Sequence, residues 1–172
     1  MKATVKKYLV VSLTLGLIAG GSAFLIGLTN VLTADRIKAN KIEKENNGLK
    51  KVFSDENQTF TTVEFDASFE YIEKIWTAKG SGEKDIGYIY KTSGKNSYGE
   101  VSLLLGFDTK KSFVNMVVLE NTETYGTTLE DNYITPVNDK KIDFSSVSCG
   151  ATYGAKLINN MYLEAKEDVN KR

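Results

Sequence analysis

The stretch Glu100–Leu119 reads EVSLLLGFDTKKSFVNMVVL. Two apolar, β-rich runs, Glu100–Phe107 and Ser112–Leu119, flank the polar connector Asp108-Thr109-Lys110-Lys111. A short polar connector between two such runs predicts an antiparallel hairpin. Val101, Leu103, Leu105 and Phe107 alternate along the first run, so they share one face. The second run is apolar on both faces, with Val114, Met116 and Val118 opposite Phe113, Val117 and Leu119. That pattern predicts a central strand covered on both sides.

Upstream, Phe60–Phe65, Tyr71–Trp76 and Ile86–Lys91 carry the β-branched and aromatic content of further strands. Lys79-Gly80-Ser81-Gly82 reads as a turn, and the Gly/Ser/Asn-rich Thr92–Gly99 reads as a loop. Downstream, Glu120–Asn138, with Thr and Asn prominent, reads as loop. In Gly154–Asp168, Ala155, Ile158, Met161, Tyr162 and Ala165 fall at helical spacing, which predicts one amphipathic C-terminal helix. The fold class is therefore α+β: an antiparallel sheet with a C-terminal helix on it.

The other end of the chain has a different character. No charged residue occurs between Lys7 and Asp35, so Tyr8–Ala34 is a run of 27 uncharged, mostly apolar residues. About 20 suffice to cross a bilayer core. A cleaved signal peptide is the competing reading, but its apolar region is typically about 7–15 residues. The expectation is a single N-terminal transmembrane helix that stays in place. Ser12, Gly16 and Gly20 recur every four residues, as do Ala23 and Gly27. Such small residues allow close approach of another membrane helix, although glycine is also simply common there. Lys and Arg counts flanking the helix nearly tie, so they do not orient it. Thr33–Lys51 is polar and rich in helix formers, with a break signal at Asn46-Asn47-Gly48. The chain thus divides into 1–34 with the transmembrane helix, a juxtamembrane helix at 35–53, and a folded domain at 54–172.

Composition narrows the chemistry. Of 172 residues, 22 are basic and 22 acidic, so no net charge points to nucleic acid. There is no histidine, which excludes Ser-His-Asp and Cys-His catalysis and every histidine-ligated metal. The one cysteine, Cys149, leaves no intramolecular disulfide. Chemistry must come from carboxylates, hydroxyls, backbone amides or a borrowed cofactor. The segment Ser148-Cys149-Gly150-Ala151-Thr152 runs into the terminal helix, placing a hydroxyl where unpaired amides favour a phosphate. From the residues alone, Thr152 is either a helix cap or the bearer of a phosphate ester.

Gly150-Ala151-Thr152 resembles the Ser-Gly-Ala-Thr flavinylation motif of FMN-binding domains. These occur in the G subunit of the Rnf ion-translocating electron-transport complex and in the C subunit of the sodium-pumping NADH:quinone reductase. Further residues carry the resemblance in order. Glu123-Thr124-Tyr125-Gly126-Thr127-Thr128 stands where the family has Glu-Thr-Pro-Gly-x-Gly. Gly87-Tyr88 and Tyr98-Gly99 precede the hairpin, and Leu32-Thr33-Ala34-Asp35-Arg36-Ile37 follows the membrane helix. The chain departs from the pattern at Cys149 for serine, Gly154 for a hydroxyl residue, Ser146 for aspartate, and Tyr125 and Thr128 for proline and glycine.

The resemblance implies a membrane flavoprotein of electron transport, with FMN held covalently as a flavin phosphothreonine on Thr152. It implies flavin contacts from Ser148, Cys149, Gly150, Ala151, Glu123, Thr124, Tyr125, Gly126 and Thr127, no catalytic residues and no metal. It further implies a subunit of an ion-transport translocase, not an enzyme alone. Its partners would be other membrane subunits and a flavin transferase. Residues 54–172 would be the FMN-binding domain, on the outer face of a bacterial plasma membrane, with the N-terminus cytoplasmic. A stand-alone anchored flavoprotein for extracellular electron transfer and a flavin-free anchored assembly module are the alternatives.

Overall fold

The structure is a computed structural model that describes residues 2–53, 57–65 and 68–172, with the side chains of residues 2–4 left out. The chain forms two compact units, Met1–Glu43 and Lys44–Arg172. Helix α1, Lys2–Val52, contributes to both.

In the first unit, α1 is long and apolar enough to cross a membrane. Its large side chains are exposed all round, from Leu9 and Val10 to Val31 and Leu32. An apolar surface of this extent is stable only against lipid or another apolar helix. Its hydroxyls are satisfied within the helix. Thr14, Thr29 and Thr33 donate to the carbonyls of Val10, Leu25 and Thr29 at 2.8–2.9 Å, so they add no unpaired donor in hydrocarbon.

The second unit is a five-stranded antiparallel sheet in the order β1 (Thr59–Val63), β2 (Ile72–Lys79), β3 (Asp85–Asn96), β4 (Gly99–Asp108), β5 (Phe113–Asn121). The fold class is α+β, as expected. Val101, Leu103, Leu105 and Phe107 do face one side, in a core closed by α4 (Thr152–Lys171). Leu104 faces the other side with Leu49 and Val52 from the end of α1, Trp76, Ala78 and Ile89.

Four expectations are corrected. The Asn46-Asn47-Gly48 signal does not break α1. Gly48 is buried, and a Cβ there would lie 2.9 Å from both Leu104 and Leu119, so the glycine serves close helix–sheet packing. β5 is an edge strand, not a central one. It is apolar on both faces because both faces of the sheet are covered even at this edge: Met116 and Val118 meet one core, Val117 and Leu119 the other. Its outer edge is partly closed by the Asn138 side chain, which accepts from the Met116 N–H at 2.8 Å and donates to the Met116 carbonyl at 2.9 Å.

Thr92–Gly99 is mostly strand. β3 pairs with β4 down to Asn96 opposite Gly99, and Gly94 makes room for Leu157 and Met161 of α4. Finally, Glu120–Asn138 is not all loop. After β5 ends at Asn121, α2 (Gly126–Leu129), a π-helical turn (Glu130–Ile134) and α3 (Thr135–Asn138) follow one another with helical backbone at each join. Leu129, Tyr133 and Val137, four apart, are buried in the main core. Burial of that stripe outweighs the weak helix propensity of the Thr, Asn and Pro around it.

Helix α4 is longer than the predicted Gly154–Asp168. Ala155, Ile158, Met161, Ala165 and Val169 are fully buried against the sheet. Its polar side chains also tie it down. Glu164 accepts from the backbone N–H groups of Glu70, Tyr71 and Ile72 at 2.8–3.1 Å, and buried Asp168 accepts from the Tyr90 hydroxyl at 2.8 Å. Burial, and then that bond to Asp168, push the Tyr90 phenol far above its ordinary pKa.

Candidate functional site

The three residues before and at the start of α4 have distinct physical reasons. Gly150 has φ +88, a conformation that favours glycine. Ala151 is buried and occupies the N-cap position, with no side-chain hydrogen bond to the helix. Thr152 is the first helical residue, half-buried. A capping hydroxyl acts from the N-cap position, one residue earlier. Thr152 is therefore not the cap, and among the described residues its hydroxyl has no hydrogen-bond partner. It lies beside the amides at the positive end of a 20-residue helix.

A pocket of about 290 Å³ opens at this point. It is lined by Gly150, Ala151 and Thr152, by the rings of Tyr98, Tyr125 and Tyr153, and by Glu123. The Tyr98 ring lies 6.0 Å from Tyr125 and 5.2 Å from Tyr153 between centroids, tilted by 56° and 41°. All three rings are exposed, at 40%, 52% and 60%. Three exposed aromatic rings converging on a helix N-terminus form a surface suited to a flat aromatic ligand that carries a phosphate.

The pocket's only lining charge among the described residues is the Glu123 carboxylate, which is buried. It accepts from Asn96 Nδ2. No lysine or arginine lines the pocket, so a free phosphate would find helix amides but no cation. A second cavity of about 350 Å³ lies elsewhere, between Phe113, Ile142, Phe144 and Tyr162. It is larger, but it contains none of the candidate site residues drawn from the sequence.

Of the sequence-derived residues, Thr152, Ala151, Gly150, Glu123 and Tyr125 line the first pocket. The other five do not. Thr124 supports it from behind, donating from its N–H (2.9 Å) and its hydroxyl (3.2 Å) to the Tyr98 carbonyl. Gly126 donates its N–H to the Glu123 carbonyl at 3.0 Å. Thr127 is exposed on α2, and Ser148 is exposed before the glycine. Cys149 is half-buried against the edge of the main core, and its carbonyl accepts from Asn132 Nδ2 at 3.1 Å. Tyr98, Tyr153 and Asn96 were missed as site residues. Tyr98-Gly99 marked a turn, but nothing in the sequence placed that turn against residues 123–125 and 152–153.

Residues 1–52 match the family described as the RnfG N-terminal region. The match covers the first 52 of 172 residues, and over that segment the chain is similar to RnfG. That similarity agrees with the apolar first part of α1, which is long enough to anchor the chain in a membrane. The matched segment is α1 itself; the pocket is built from elements beyond it. No curated protein matches the chain.

Proposed function

We propose that this protein is a membrane-anchored flavoprotein electron carrier of an Rnf-type complex, whose FMN is joined through its phosphate to the Thr152 hydroxyl. The observation that carries the reading is a threonine hydroxyl released from capping, at a helix start, opening into a pocket walled by three tyrosines. When bound, FMN supplies one- and two-electron redox chemistry. The chain's own residues do the rest. Tyr98, Tyr125 and Tyr153 would hold the planar ring, and the first-turn amides of α4 would hold the phosphate. Because no cation lines the pocket, ionic binding of a free phosphate would be weak; a covalent ester retains the group without one.

Forming that ester requires a phosphoanhydride of FMN as donor, since a bare monoester would have to lose water. The Thr152 hydroxyl would be the acceptor: its oxygen would bond to phosphorus as the anhydride bond breaks, and its proton would leave with the departing phosphate half. A flavin transferase would perform the exchange. Electrons would then pass between neighbouring membrane subunits on the outer face of a bacterial plasma membrane, as part of redox-driven ion translocation.

The test is flavin fluorescence of the denatured band after co-expression with a flavin transferase. Wild type should fluoresce, Thr152→Ala should not, and Thr152→Ala should still fold and insert. Fluorescence retained in Thr152→Ala would move the ester to another hydroxyl. A dark wild-type band would reject covalent flavinylation and favour the flavin-free assembly module.

A further inference from the structure

The walls of the pocket come from three places in the chain: the β3–β4 turn (Tyr98), the segment after β5 (Tyr125) and the start of α4 (Tyr153). One small polar unit joins all three. The Asn96 side chain accepts the Tyr98 N–H at 2.7 Å and donates to Glu123 Oε1. The Glu123 carbonyl accepts the Gly126 N–H at 3.0 Å, which fixes the bend that carries Tyr125. The other carboxylate oxygen is seated against α4: a Cβ built on Gly154 would lie 2.5 Å from Glu123 Oε2. Gly154 thus leaves the space that the carboxylate fills, one residue beyond Tyr153.

Glu123 is 8% exposed. A buried carboxylate is costly unless bonded, and it is poorly suited to touch a phosphate, because the two would repel. Its hydrogen bond comes instead from Asn96, on the turn that carries Tyr98, and its other oxygen packs against the start of α4, which carries Tyr153.

We infer that Asn96 and Glu123, seated on Gly154, are positioning residues that hold Tyr98 and Tyr125 at the spacing needed to flank a planar aromatic ligand. This rests on the flavin reading for the identity of the ligand, but the clamp itself can be measured without flavin. The pair contributes geometry to the ring site, whereas Thr152 contributes the attachment. Losing the pair therefore leaves the flavin attached but loosely held.

The experiment uses the full chain in detergent, as wild type, Glu123→Ala, Glu123→Gln and Asn96→Ala, each made with and without a flavin transferase. Hydrogen exchange is followed on the flavin-free proteins. Asn96→Ala removes the acceptor of the Tyr98 amide and Glu123→Ala removes the anchor of that acceptor, so in both the peptide holding the Tyr98 amide should exchange about 10-fold faster, the upper range for a lost neutral hydrogen bond. Peptides from β4 should be unchanged. Glu123→Gln, whose amide oxygen can still accept from Asn96, should stay within a few-fold of wild type.

On the flavinylated proteins, native emission is compared with emission after unfolding. Tyrosine rings in contact quench flavin, so wild type should be dim until unfolded. Glu123→Ala and Asn96→Ala should be several-fold brighter when native, with equal flavin on the denaturing gel, and Glu123→Gln should restore quenching. If Glu123→Ala does not fold, Asn96→Ala and Glu123→Gln still give the comparison. Unchanged exchange in both alanine variants overturns the clamp. Faster exchange with unchanged quenching overturns its positioning role. A wild type without flavin rejects the flavin reading, and the exchange arm then decides the clamp alone.

Discussion

Gly154→Ala puts the closest contact in the site to a quantitative test. In the interior of a helix this change ordinarily stabilises by about 1 kcal/mol, because glycine carries the larger backbone entropy cost. Here the new methyl would lie 2.5 Å from Glu123 Oε2 and 2.7 Å from Leu129 Cδ2. Both neighbours are buried, so neither can swing into solvent without loss. Displacing the carboxylate gives up its bond from Asn96, about 1.5–3 kcal/mol for a hydrogen bond to a charged group. Crowding Leu129 adds about 1–3 kcal/mol. The net expectation is destabilisation by about 1.5–5 kcal/mol.

In a Glu123→Ala background the space is vacant and the Asn96 bond already gone, so the same methyl should cost far less. The two changes should therefore couple by about 1.5–3 kcal/mol, well outside the 0.3–0.5 kcal/mol within which independent sites add. The assay is chemical unfolding of the detergent-solubilised chain for the four members of the cycle, followed through the single tryptophan, buried Trp76. Stabilisation by Gly154→Ala, or additivity across the cycle, would refute the contact between the carboxylate and the start of α4.

Three further outcomes follow. Asn138→Ala removes both bonds to the Met116 backbone at the β5 edge and should cost about 1–2 kcal/mol in the same unfolding assay. Burial raises the phenol pKa values of Tyr90 and Tyr133 above those of the unfolded chain, so both favour the neutral, folded form. Their contribution is complete below about pH 10 and declines above it, by up to roughly 1.4 kcal/mol per pH unit for each ring. A pH series from 8 to 11.5 that shows no loss of stability above 10 would contradict this. For topology, a cysteine at exposed Lys95, in a Cys149→Ser background, should react with a membrane-impermeant reagent in intact cells; protection until lysis would place the folded unit inside.

The membrane helix, the hairpin and the C-terminal helix were legible in the sequence because each is written locally. Twenty-seven uncharged residues, an alternation of period two and a stripe at helical spacing each depend on near neighbours alone. The Gly150-Ala151-Thr152 stretch was legible for the same reason. What the sequence could not say is which surfaces those elements meet. The apolar second strand looked central, yet it lies at the edge, because its two-sided covering comes from residues 49–52 on one face and from the helical side of the molecule on the other. Gly48 and Gly94 looked like breakers, but each is a contact point where another element approaches too closely for a side chain.

The helical segment after Tyr125 was hidden in the same way. Its stripe of Leu129, Tyr133 and Val137 is sparse and surrounded by poor helix formers, and only burial against the core decides in its favour. The site shows the division most clearly. From the residues alone Thr152 read most simply as a helix cap, and only the backbone put the N-cap one residue before it, at Ala151. Tyr98 and Tyr153 are 55 residues apart and become neighbours only when the β3–β4 turn folds against the start of α4. Local chemistry is carried by side-chain type and spacing. The pocket is a relation between distant segments, and that relation exists only once the sheet and α4 have packed.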